Sequence, residues 1–120
     1  MSLITYLRLS LTFLALAPMV ASAACGATYC DGVPSMLLLQ DHSSKTIWVA
    51  MPQGANTDAV TACTLTLGNR AALNVDNTLY KETYAMLLTA TAANKTVRVR
   101  VIDDGAGAGA CEVLYVYMIP

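Results

Sequence analysis

The sequence lacks most of the residues from which active sites are built. It has one histidine, one tryptophan and one phenylalanine in 120 residues, and only 12% of its side chains are charged. His42 therefore has no second histidine with which to ligate a transition metal, and no nucleophile–base pair is visible around it. It lies beside a polar turn and reads as a solvated residue. Basic residues are equally sparse, seven Lys and Arg against eight Asp and Glu, for a formal net charge of −1. Their one local concentration is Arg98 and Arg100. A nucleic-acid surface needs a stripe of cations to neutralise phosphates, so that class is disfavoured.

What is present begins with an export pattern. Met1 to Arg8 ends in a positive charge, Leu9 to Val20 is apolar, and Ala21-Ser22-Ala23 supplies small residues for a signal peptidase. Residues 1–23 thus read as a signal peptide, too short for a membrane span, leaving residues 24–120 as one secreted or periplasmic domain. A lipoprotein reading competes at Cys25, but Ser22 replaces the branched apolar residue such signals carry. Lipidation would also strand one of the remaining cysteines, Cys30, Cys63 and Cys111. An even set of four in an oxidising compartment reads as two disulfides. Four cysteines allow three pairings, of which Cys25–Cys30 and Cys63–Cys111 are the expected ones. Bridged cysteines offer no thiolate for catalysis. A domain this small buries only about two thirds of its unfolded surface, so covalent support is physically sensible.

Along residues 24–120 the pattern is mostly that of strands. ACGATYCDGVP (Ala24 to Pro34) is small and turn-rich. SMLLLQDH and TIWVAM, split by the polar Ser43-Ser44-Lys45, predict a hairpin. PQGANTD (Pro52 to Asp58) is a loop by composition, and AVTACTLTLG (Ala59 to Gly68) alternates as a half-buried third strand. From Asp76 or Asn77 as N-cap, a segment without Gly or Pro places Leu79, Thr83, Leu87 and Ala90 at helical spacing, ending at Asn94. TVRVRVID puts Val97, Val99 and Val101 on one face and Arg98 and Arg100 on the other, and CEVLYVYM forms the last strand. Five strands with a helix between the third and fourth is the order of an OB-fold, a small, partly closed barrel, with a general α+β sandwich as the other option.

Other local features carry no chemistry of their own. DDGAGAGAC (Asp103 to Cys111) is short of the oxygen ligands that calcium needs, and a strand rather than a helix follows, so it is no phosphate loop. It reads as the hairpin loop between the last two strands. Asn94-Lys95-Thr96 matches a glycosylation acceptor at a tight junction. Tyr115 and Tyr117 share a face of the last strand, and Trp48 projects opposite Ile47 and Val49.

Two stretches, TACTLTL (Thr61 to Leu67) and ETYAMLLTATAANKTVRVRVID (Glu82 to Asp103), resemble the B subunits of subtilase cytotoxin and typhoid toxin. The second stretch also resembles small secreted bacterial proteins sharing this helix–turn–strand order. The resemblance implies an OB-fold that assembles as a ring of five and binds sialylated glycans, with Ser35 in the sugar pocket. Ser35, Trp48, Arg98 and Arg100 are then the candidate ligand-binding residues, with no catalytic residue, metal or cofactor expected. The leading expectation is a non-catalytic secreted or periplasmic carbohydrate-binding module of toxin B-subunit type, with a homo-oligomer allowed. The other is a small envelope protein acting through protein contacts, as an inhibitor or assembly factor. An exposed aromatic patch beside Ser35 would favour the first, and an exposed apolar strand edge the second.

Overall fold

The computed structural model describes residues 23–40, 46–105 and 109–120. Nearly all of the expected signal peptide, together with His42, the polar turn after it and residues 106–108 of the glycine loop, lies outside them. The order of elements is β1 (Ala24–Gly26), β2 (Tyr29–Gly32), β3 (Met36–Gln40), β4 (Thr46–Ala50), β5 (Arg70–Asn74), α1 (Tyr80–Ala93), β6 (Val97–Asp103) and β7 (Cys111–Met118). The strands form one mixed sheet in the order β1-β2-β6-β7-β5-β4-β3. All neighbouring pairs are antiparallel except β5 and β7, which run parallel.

The protein is mainly β with one helix, but its seven-stranded sheet is open, not the closed five-stranded barrel expected from the sequence. The reason lies in the N-terminal segment. ACGATYCDG is not a loose turn but the hairpin β1–β2, with Cys25 directly opposite Cys30 and the two joined by a disulfide. Its strand β2 pairs along β6, from Tyr29–Arg100 to Gly32–Val97. That edge of β6 is the one β3 would have to reach to close a barrel, so β3 stays at the far side of the sheet. The OB-fold, the likeness to toxin B subunits and the carbohydrate-binding character drawn from that likeness all fall with the closure.

A second correction concerns the third strand. Residues 59–68 form no continuous strand; a short 3-10 helix at Thr57–Ala59 leads into a looped segment with isolated bridges Thr64–Ala110 and Thr66–Arg70. Leu67 and Gly68, with φ of 53° and 80°, turn the chain back, and the strand begins only at Arg70. The loop is held to β7 by the Cys63–Cys111 disulfide and by the Thr64 N–H donating to the Gly109 carbonyl at 2.6 Å. Alternation of threonine with apolar residues was matched by the half-buried loop, not by a ladder.

The core lies between one face of the sheet and α1. Val49, Ala71, Leu73, Val97, Val99 and Val113 are fully buried there. The helix contributes Thr83, Leu87 and Ala90, four and three residues apart, which is the spacing that puts them on one stripe. It starts two or three residues later than an Asp76 or Asn77 cap implied: Asn77 opens a turn, its Oδ1 accepting from the Leu79 N–H and its carbonyl from the Tyr80 N–H, and the regular helix follows that turn. At its other end Asn94 adopts the left-handed conformation (φ 53°, ψ 46°), where its own N–H and that of Lys95 return to the last-turn carbonyls. Burying these apolar side chains, at roughly 25 cal/mol per Å² of surface removed from water, is the main force holding the helix to the sheet.

Candidate functional site

The four residues singled out from the sequence do not converge. Ser35 precedes β3, and its Oγ donates to the Met51 carbonyl at 2.8 Å, a bond that ties the start of β3 to the end of β4. Trp48 stands in the middle of β4, half-buried opposite Leu38 and Ala72, on the wall of a cavity of about 230 Å³ that also involves Thr46, Asn74, Asp104 and Glu112. Arg98 and Arg100 lie on β6, separated from β4 by β7 and β5.

Only the two arginines come together with further polar and aromatic groups. Across the sheet, Asp31, Arg98 and Tyr117 form one row and Tyr29, Arg100 and Tyr115 the next. Directly opposed residues share a face of a sheet, so these six side chains stand on the face away from the core. The Arg98 Nε and Nη2 donate to the two Asp31 carboxylate oxygens, both at 2.7 Å. Its guanidinium also lies 3.9 Å from the centroid of the Tyr29 ring and 5.9 Å from that of Tyr117. These hydrogen bonds hold the guanidinium above its ordinary pKa, against the opposing effect of desolvation. Tyr115 and Tyr117 are stacked with centroids 6.1 Å apart, and each is 42% exposed.

Two backbone features build this grid. Between Arg100 and Val101 the β6–β7 register shifts, with Arg100 opposite Tyr115 but Val101 opposite Val113. Leu114 is the extra residue of this bulge, which reverses the alternation of β7. Cys111 and Val113 point inward before it, while Tyr115 and Tyr117, of the same parity, point outward after it. The second feature is Gly26, where a Cβ would stand 2.5 Å from the Tyr29 ring. The ring thus lies over the bare backbone of β1, with Arg98 against it.

Tyr29 and Asp31 were missed in the sequence because Ala24 to Pro34 read as a turn. Their signal was present: they flank Cys30 at period two, which is how strand residues reach a common face. The other notable surface is β3 itself. Met36, Leu38 and Leu39 are 41%, 40% and 64% exposed, and among the described residues β3 pairs only with β4. Met36–Gln40 contains no charge, proline or register shift, the devices by which edge strands are usually blunted.

Among the described residues no group of three or more His, Cys, Asp or Glu could hold a metal ion, and no helix is long and apolar enough to cross a membrane. The sequence matches no protein-family model, and no curated protein or solved structure is significantly similar to it.

Proposed function

We propose that this is a small, non-catalytic protein of the bacterial envelope or exterior that acts through protein–protein contacts, as an inhibitor or an assembly factor. The observation that carries the reading is the open, uncharged, apolar edge of β3. Such an edge offers a row of backbone donors and acceptors, and an extended segment of a partner adds to it as a further strand. Backbone hydrogen bonds then supply affinity, while Met36, Leu38 and Leu39 supply the apolar contacts that select the partner's side chains. The two disulfides suit an oxidising compartment outside the cytoplasm.

The test is site-specific photo-crosslinking in the producing cell. A crosslinking residue at position 39, on the edge, should give a discrete adduct with one partner protein. The same residue at position 102, exposed on β6 with β7, β5 and β4 between it and β3, should not. Identical adducts from both positions, or none from position 39, would refute the edge as the contact.

A further inference from the structure

The grid on β2, β6 and β7 contains a charge that its own surroundings leave uncompensated. Among the described residues the one ion pair is Arg98–Asp31. Arg100, the next outward residue of β6, lies half-buried between Tyr29 and Tyr115, and its side chain makes no hydrogen bond or ion pair among the described residues. Two exposed, stacked tyrosines beside it complete a composition that protein interfaces favour: aromatic rings with large contact area and few rotors to freeze, next to an arginine fork.

We propose that this face is a second contact surface, distinct from the β3 edge, and that it takes an acidic segment of a partner protein. A side-chain carboxylate of that segment seats on Arg100, and its flanking residues lie over Tyr115 and Tyr117. Two observations select this occupant. The fork of a guanidinium matches a carboxylate in two parallel hydrogen bonds. The grid offers one guanidinium without an ion pair, since Asp31 neutralises Arg98, so a polyanion such as a nucleic acid laid on it would leave most of its phosphates unpaired. The pairing of Arg98 with Asp31 and its stacking on Tyr29 hold the platform in place before the partner arrives, which lowers the ordering cost of binding.

The experiment is selection of a random heptapeptide library, displayed without a free C-terminus, on the oxidised full-length chain. Enriched peptides are expected to carry Asp or Glu. Titration of such a peptide should shift the Arg100 Nε–H and Tyr115 ring resonances of the unaltered protein. Arg100→Gln should weaken its binding about tenfold or more, the loss expected for a charged hydrogen-bonded pair, with partial recovery in Arg100→Lys. Leu38→Lys, which blocks the β3 edge, should leave this affinity unchanged; the two surfaces therefore stand or fall separately. Enrichment without acidic residues, unaltered binding by Arg100→Gln, or resonance shifts that map to another face would overturn the proposal.

Discussion

Opening the Cys63–Cys111 bridge should destabilise the protein about twice as much as opening Cys25–Cys30. The two bridges span sequence separations of 48 and 5 residues. Restricting the unfolded chain over those intervals is worth about 4 kcal/mol for the long one and about 2 kcal/mol for the short one in the chain-entropy treatment. Against a typical domain stability of about 5–15 kcal/mol, the first loss is a large fraction of the whole. The loop around Cys63 should stay docked without the bridge, because the Thr64 N–H donates to Gly109 and the Cys111 N–H donates to Thr64, at 2.6 and 2.9 Å. Paired alanine replacements, Cys63→Ala with Cys111→Ala and Cys25→Ala with Cys30→Ala, can be compared by urea unfolding followed through Trp48 emission. With a slope of about 1–3 kcal/mol per molar, the long-bridge variant should unfold at least ~1 M earlier than the parent, with a somewhat steeper slope as its unfolded state expands. A loss no greater than that of the short-bridge variant would refute the reasoning, since it would place the stabilisation in local packing rather than in chain length.

Three further outcomes follow from individual contacts. Leu87→Ala removes a fully buried side chain from the helix–sheet interface and should cost about 2–5 kcal/mol in urea unfolding, whereas Leu88→Ala, on the half-exposed side of α1, should change stability by less than about 0.5 kcal/mol. Gly26→Ala introduces a Cβ into the space of the Tyr29 ring and should swing that ring off Arg98; the check is the loss of the ring-current shift on the Arg98 side chain in proton NMR, with little change in the unfolding midpoint. Deleting Leu114 removes the bulge and leaves a regular β6–β7 ladder with Tyr115 still opposite Arg100, so both tyrosines should keep their reactivity to tetranitromethane; loss of nitration at Tyr115 and Tyr117 would show that Leu114 is not the extra residue.

The sequence by itself determined those elements whose periodicity admits one reading. Val97, Val99 and Val101 alternate with Arg98 and Arg100, so β6 and its two faces were legible residue by residue. The stripe Thr83, Leu87, Ala90 and the polar stop at Asn94 likewise marked α1, because a helix and its left-handed exit have local signatures. The mainly β character with one helix followed from the same patterns.

Everything that depended on which strand lies beside which was decided by the tertiary structure. The short hairpin β1–β2 occupies the edge of β6, and that pairing keeps the sheet open and leaves β3 as an exposed margin; no local pattern in MLLLQ reports the absence of a neighbour. Three pairings of the cysteines were compatible with the sequence, and the docking of the 57–69 loop against β7 brings Cys63 to Cys111. The grid of Arg98, Arg100 and four partners exists because one extra residue, Leu114, inverts the alternation of β7. Periodicity assigns residues to faces only while the register is unbroken, and a bulge is created by the pairing of two strands, which a single strand's sequence does not contain.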